Sequence, residues 1–360
     1  MMTKDFWQGK RVFITGHTGF KGSWLCLWLN SMGAIVQGYA LAPPTKPNLF
    51  SVLDLREKIL SEEGDVCDAA ALYKSMHHFQ PDIVFHLAAQ SLVRLSYESP
   101  WETYNTNIMG TFALLEAVRK VGNIKAVVNV TSDKCYENQE WLWGYRESEP
   151  MGGFDPYSSS KGCAELVTSS YRRSFFNLNN YQEHGCALAS ARAGNVIGGG
   201  DWALDRLVPD ALKAFANQQT VIIRNPHAIR PWQHVLEPLS GYLTLAEKLF
   251  THGAAFAEAW NFGPREESAQ SVQFILEGLT SLWGENAGWK LDDTDCPHEA
   301  HFLKLDCSKA QIKLGWQPLW GLQHTLQRTV HWYKAWLNGA NMHDYTIAEI
   351  NDYMNLQGGL

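Results

Sequence analysis

The sequence predicts an α/β fold built on a parallel, doubly wound sheet. Three observations predict it. The short run Val12-Phe13-Ile14-Thr15 passes straight into Gly16-His17-Thr18-Gly19-Phe20-Lys21-Gly22 and then into an apolar, helix-like stretch. Strand-like and helix-like segments then alternate as far as Arg192. The chain has 360 residues, 45% hydrophobic and 19% charged, which suits a soluble globular protein with a full core.

The glycines come first, because each has its own work. Gly16 can take backbone angles closed to other residues, Gly19 lets a pyrophosphate approach the main chain, and Gly22 allows close packing of helix on strand. The helix that follows offers unpaired N–H groups and the positive end of its dipole to phosphate. The stretch Gly16 to Gly22 therefore reads as a dinucleotide site, with Thr18, Phe20 and Lys21 inside it.

Trp24 to Ser31 continues as a helix buried on most sides and stopped near Gly33, and Ala34 to Tyr39 is the second strand. A ribose-binding acid is expected after that strand in an NAD site, yet no acidic residue lies between Asp5 and Asp54. No arginine for a 2′-phosphate is there either. Gly64-Asp65-Val66 closes a third unit, Asp68 caps a helix ending near Phe79, and Asp82 to Ala89 is a buried strand. Its last residues, Leu87-Ala88-Ala89, are small enough for a ring or ribose to lie against them. Trp101 to Val121 is a long helix ended by Gly122, followed by the strand Ala126 to Val130. Thr131-Ser132-Asp133-Lys134 then stands at a strand's carboxyl end, where ligands bind in this architecture.

A helix beginning near Tyr157 puts Tyr157 and Lys161 four apart, on one face. An ammonium beside a phenol favours the phenolate, so the pair suits a base working near neutrality. Cys186 to Arg192 is a further strand, leading into the glycine-rich Gly194 to Trp202. Arg224 and Arg230 are the candidates for gripping a diphosphate. The late tryptophans Trp283, Trp289, Trp316, Trp320, Trp332 and Trp336 are candidates for the core.

Other classes are disfavoured. A net charge of −7 with no Lys/Arg run argues against nucleic acid, and no apolar run reaches the ~18 residues of a membrane span. Seven cysteines without a C-x-x-C pair read as reduced thiols, hence a cytoplasmic protein. His77-His78 reads as a surface pair, and His298-Glu299-Ala300-His301 lacks a third ligand, so no metal is expected.

Together, the glycine triplet, Asp65-Val66, Leu87-Ala88-Ala89, Ser132, Tyr157 with Lys161, Arg192 to Asn195, and Asn261 to Pro264 resemble the extended short-chain dehydrogenase/reductase family over essentially the whole chain. Nucleotide-sugar 4,6-dehydratases of that family carry Asp-Glu after the serine, where this chain has Asp133-Lys134. The replacement, with Thr131 to Asn138, Arg192 to Trp202 and Arg230 to Pro238, is similar to the subgroup acting on CDP-glucose.

The resemblance implies NAD as cofactor, held by Gly16, Thr18, Gly19, Phe20, Lys21, Gly22, Asp65, Val66, Leu87, Ala88, Ala89, Tyr157 and Lys161. It implies a nucleotide-sugar substrate touching Asn195, Trp232 and His234 beside Arg224 and Arg230. A Rossmann domain (1–188 plus 228–262) and a nucleotide-sugar domain (189–227 plus 263–360) are expected. So is a homodimer packed through Trp101–Val121 and Tyr157–Asn180. The implied chemistry loses water from the hexose, feeding deoxysugar and lipopolysaccharide O-antigen synthesis. In it Tyr157 is the base at O4, Ser132 holds that oxygen, Asp133 is the acid for the 6-hydroxyl, and Lys134 is either the base at C5 or a group orienting Asp133. A nucleotide-sugar 4-epimerase, or a dehydratase of a dTDP-, UDP- or GDP-hexose, shares most of these features.

Overall fold

A computed structural model of the chain describes residues 4–223, 225–284, 287–291 and 303–358. Arg224 and the histidines His298 and His301 lie outside the described residues. Seven strands form one parallel sheet: β1 (Arg11–Thr15), β2 (Ile35–Ala40), β3 (Leu60–Glu63), β4 (Ile83–His86), β5 (Ala126–Val130), β6 (Ala187–Ala193) and β7 (Ala259–Phe262). They lie in the order β7-β6-β5-β4-β1-β2-β3, with Val12 opposite both Val36 and Ile83. The central strands read as continuous apolar runs because both faces are covered. Val12 and Ile14 face one core and Phe13 the other.

Helices α1 (Phe20–Ser31), α2 (Ala69–Phe79), α3 (Gly110–Val121) and α4 (Pro156–Ser174) follow strands β1, β3, β4 and β5. A second unit carries α5 (Leu207–Ala216), α7 (Val272–Trp283), α8 (Leu322–Leu337) and α9 (Met342–Gly358). Between them α6 (Leu236–His252) returns to pack on β5 and β6. The N-cap of α2 is Asp68, whose carboxylate accepts from Ala71 N–H at 3.0 Å. Asp155 caps α4 the same way through Ser158 N–H at 2.9 Å, with Pro156 in the first turn.

Four sequence expectations change. The long helix through Val121 holds a wide π turn at Asn105–Met109, where Asn107 turns inward to bond Gln90 and Ser160. Helix α4 stops at Ser174, and only the short turn Leu178–Asn180 follows, so Tyr157–Asn180 is not one helix. Strand β6 runs through Ala193, so a domain boundary at 188 would cut it. Of the late tryptophans, Trp316, Trp320 and Trp332 are buried, while Trp283, Trp289 and Trp336 are half-buried against the core.

Behind the sheet's carboxyl edge lies a buried ion pair, Arg192 of β6 with Glu165 of α4 at 2.8 Å, both nearly inaccessible. Glu165 also accepts from Thr131 and from Ser190, the latter at 2.7 Å. Burial alone would raise the Glu165 carboxyl, but the Arg192 charge and these bonds outweigh it and hold it below its ordinary value. Arg192→Met leaves Glu165 uncompensated, so denaturant unfolding should show a loss of about 3–5 kcal/mol at neutral pH. In the intact pair the stabilisation is present above the unfolded carboxyl value of ~4.3 and lost as pH falls through the lower folded value. The gap between variant and parent should therefore narrow in acid; a pH-independent gap would show that charge is not what the pair supplies.

Candidate active site

Gly16 ends β1 with φ +76°, and a Cβ there would come within 2.7 Å of Ala88 N, so β1 and the chain after β4 approach to backbone contact. A Cβ on Gly22 would lie 2.1 Å from Gly16 O. At Gly19 the nearest atom would be 3.4 Å away, leaving room above the turn. Helix α1 has no side-chain cap and no acid in its first turn. Its leading N–H groups have no partner within the helix, as at any helix start, and face that room. These features fit a dinucleotide pyrophosphate.

Two residues that the sequence did not single out shape this edge. Thr15 Oγ1 and His86 Nδ1 share a hydrogen bond of 2.7 Å, and Thr15 Oγ1 accepts from the N–H groups of Leu87 and Ala88, both at 3.2 Å. The loop Leu87–Ala89 is thereby pinned beside Gly16, and burial drives His86 down to about 3, so it stays neutral. Asp65 sits exposed after β3 with its carboxylate on Cys67 N–H, whereas Val66 is buried and packs against Gly110. Thr18 donates to Leu41 O at 2.9 Å, closing the turn against the end of β2.

The second half of the site stands at the end of β5. Ser132 Oγ donates to Asp133 Oδ1 at 3.1 Å and is hydrogen-bonded to the Tyr157 hydroxyl. Asp133 is 3% exposed, and burial raises its carboxyl against the pull of Lys134, Ser132, Lys21 and Arg230. A carboxyl pushed upward by burial suits an acid. Lys134 is half-buried, its charge facing Asp133.

Lys161 is buried, and desolvation lowers it to about 8, so it still carries charge at neutral pH. Lys21 reaches the same cluster: burial, then Arg206, bring it to about 8, with Asp133, Asp201 and Lys161 in range. The expectation that Lys161 lowers Tyr157 needs correction. Burial lifts the phenol to about 12, and the groups that pull it down are Ser132 and Arg206. Desolvation is the reason, since it penalises a phenolate and an ammonium alike.

Arg230 lies on the short strand Ile229–Pro231, opposite Gln270, with its charge facing Asp133. Asn195 is half-buried in the turn after β6, its carbonyl accepting from Gln233 N–H at 3.3 Å. Trp232 and His234 do not join the cluster. The Trp232 indole N–H is spent on Gln270 O at 3.0 Å. His234 is fully buried, 3.1 Å from Glu349, with its ring on Trp24 and Trp320. Both brace the site from behind: Trp232 lies between the short strands Ile229–Pro231 and Gln233–His234 and bonds the Gln270 carbonyl, and His234 packs on Trp24 and Trp320. A separate cleft of about 770 Å³ opens beside Pro231, walled by Trp143, Arg146, Arg265 and Lys304.

With this geometry in view, the comparisons are specific. Residues 13–329 match the GDP-mannose 4,6 dehydratase family. The chain belongs to that family. It is 64% identical to the CDP-glucose 4,6-dehydratase of Salmonella typhimurium over 355 residues, 99% of each chain. It is 27% identical to the dTDP-glucose 4,6-dehydratase of the same organism, covering 93% of this chain and 96% of that one. Among solved structures, DesIV, the dTDP-glucose 4,6-dehydratase of Streptomyces venezuelae with NAD and TYD bound, superposes with a TM-score of 0.76. The identity is 22%, and the match covers 92% of this chain and 98% of that one.

Gly194 gives the site a sharp test. A Cβ there would stand 2.6 Å from Asp133 Oδ2. Gly194→Ala should push that carboxylate aside and cut turnover on the order of 100-fold, with dinucleotide binding by calorimetry unchanged. Normal turnover would mean that the position of Asp133 is not critical.

Proposed function

We infer that this chain is a CDP-glucose 4,6-dehydratase, an NAD-dependent hydro-lyase. The observation that carries the reading is the 64% identity with an enzyme of that name across the whole of both chains. The Ser132, Asp133 and Tyr157 cluster facing a dinucleotide turn supports it. Gly16, Gly19, Gly22, Thr18, Phe20 and Lys21 would hold the pyrophosphate, and Leu87 to Ala89, Tyr157 and Lys161 the nicotinamide ribose. Asp65 and Val66 would border the adenine end.

NAD, when bound, supplies the hydride acceptor at C4 of the hexose and returns the hydride at C6. Tyr157 takes the proton from the 4-hydroxyl, and Ser132 turns its own hydrogen toward that oxygen. The C4 ketone acidifies C5. Lys134, in its neutral amine form, receives the C5 proton while Asp133 gives its proton to the departing 6-hydroxyl, which leaves as water. A proton returned to C5 completes a 4-keto-6-deoxy hexose. Burial of Asp133 supports its part, since an acid must hold its proton until the C6–O bond breaks. Arg230, with Arg224 as a weaker second, is assigned to the diphosphate, and Asn195 to the sugar side.

We also assign 1–193 with 228–262 to the cofactor domain and the remainder to the substrate domain, supported by β7 joining the sheet at its β6 edge. A homodimer through the helices at 100–121 and 156–174 is supported by an uncovered apolar stripe. Trp101 is 83% exposed, and Met109, Phe112 and Leu166 are also open. Free cysteines at all six described positions support a reducing, cytoplasmic setting, and the product suits deoxysugar and lipopolysaccharide synthesis.

Oxidation and elimination should separate by mutation. With CDP-glucose and NAD⁺, Tyr157→Phe should form no NADH. Asp133→Asn and Lys134→Met should form it and stall, with 6-deoxy product lowered ~10²–10⁴-fold. Lys134→Met turning over normally would reassign the C5 proton, and no 4-keto product from the unmodified protein would sink the function itself.

The diphosphate assignment is tested separately. Arg230→Ala should lose on the order of 10-fold or more in sugar-nucleotide affinity while still binding NAD⁺, because one charge-assisted contact is removed. Unchanged substrate affinity in calorimetry would place the phosphates elsewhere.

A further inference from the structure

The cofactor helix α1 carries the aromatic stripe Phe20, Trp24 and Trp28, spaced four apart and so aligned along one face. The last helix of the chain, α9, meets that stripe. Trp28 donates its indole N–H to Met354 Sδ at 3.2 Å, and its ring meets Tyr353 edge-on at 5.8 Å. Trp24 donates to Gly199 O at 3.0 Å and stands edge-on to the His234 ring at 5.9 Å. Gly198 is wedged at the head of the stripe. A Cβ there would come 3.3 Å from His234 Nε2 and 3.4 Å from the Phe20 ring. The residues after it are held as firmly. Gly199 presses on Trp332 of α8, where a Cβ would meet the ring at 2.0 Å, and Gly200 sits at φ +83° against Leu49. Asp201 is tied by Tyr333 at its carbonyl and by Arg206 at its carboxylate.

His234 is where these contacts converge. Its Nδ1 accepts from Leu236 N–H at 3.3 Å, so the ring proton belongs on Nε2, which stands 3.1 Å from Glu349 Oε1 of α9. Both side chains are inaccessible, and among the described residues neither Glu349 oxygen has a hydrogen-bond partner. The Arg328 guanidinium of α8 is taken by Asp352 at 2.9 Å. Four residues after Glu349, Tyr353 donates to Glu237 Oε2 at 2.6 Å and so fixes α9 on α6. A buried carboxylate this poorly satisfied adds little to stability, and an apolar side chain of its size would serve packing as well.

We propose that Glu349 is a positioning residue for the dinucleotide, acting through His234 on Gly198 and Trp24 to fix the first turn of α1. The proposal rests on the NAD-dependent reading above. Helix α1 has no side-chain cap and no acid in its first turn, so its direction is set from its flank. The N–H groups of that turn are the ones that would take the pyrophosphate. No acidic residue follows β2 to grip the ribose, so the pyrophosphate end carries more of the binding and tolerates less displacement. The sequence hides this part, because Glu349 and Phe20 stand at opposite ends of the chain and meet only across His234 and Gly198.

The test is calorimetry of the full chain with NAD⁺ and, separately, with CDP. Glu349→Met fills the space without the carboxylate. It should weaken NAD⁺ about tenfold, the weight of one N–H contact to a charged phosphate, and leave CDP affinity within about twofold. Glu349→Gln keeps an oxygen to face Nε2 and should return most of the NAD⁺ affinity. Trp28→Phe loses the indole bond to Met354 and should weaken NAD⁺ about threefold, which decides the matter if Glu349→Met fails to fold. Unchanged NAD⁺ affinity in Glu349→Met, with only a lower melting temperature, would make Glu349 a packing residue and overturn the proposal. Equal losses for NAD⁺ and CDP would show general loosening and overturn it as well. A parent chain that binds CDP but not NAD⁺ would strike the cofactor reading and this proposal together. A parent that binds both, with NAD⁺ unmoved in the variants, would strike this proposal alone.

Discussion

The site depends on the buried pair of Glu165 and Arg192. Glu165 lies one turn beyond Lys161 on α4 and takes Thr131 from the end of β5 and Ser190 from β6. Arg192 passes the constraint on: its other nitrogen bonds the Tyr136 hydroxyl, which donates to Asn261 on β7. Asn261 in turn holds the Tyr145 carbonyl at 2.8 Å and so the loop over the second unit. One charge pair therefore sets the angle between the helix that carries Tyr157 and the strand end that carries Ser132 and Asp133. In a low-dielectric interior such a network is either fully satisfied or very costly, which is why it can act as a template for the groups in front of it.

In front of that template the chemistry is governed by desolvation. Burial raises Asp133 and Tyr157 and lowers Lys21 and Lys161, and in each case it is the largest influence. The charged forms are penalised until a ligand brings complementary charge. A nicotinium ring and a diphosphate are such charges, so the protein's own electrostatics leave room for both. Burial thus pushes Asp133 toward its protonated form and brings Lys21 and Lys161 to about 8.

The glycines belong to the same account at two places with different causes. At Gly16 to Gly22 they let backbone, helix and phosphate approach. At Gly199 and Gly200 they let a loop press against Trp332 and Leu49 until Asp201 has one position. In the first case the missing Cβ makes space for a ligand, in the second it makes space for the protein itself.

By itself the sequence determined the doubly wound sheet, the dinucleotide turn, the Tyr157 and Lys161 face, and the Ser132-Asp133-Lys134 strand end. These are local: periodicity, capping and glycine spacing act within one or two elements. Asp68 and Asp155 cap helices, and β1, β2, β4, β5 and β6 stand where the apolar runs place them, whereas the exposed, acidic β3 (Leu60–Glu63) follows no such run. The tertiary structure alone decided what charges meet. Lys21 and Arg206 come to Tyr157 and Asp133 from distant segments, and His86 is neutralised by its depth. Trp232 and His234, read as substrate contacts beside Arg230, face the core because the chain breaks between two short strands there and both rings find buried partners, Trp232 on the Gln270 carbonyl and His234 on Trp24 and Trp320. Charge and burial are summed over everything within several ångströms in space, and no spacing along the chain encodes that sum.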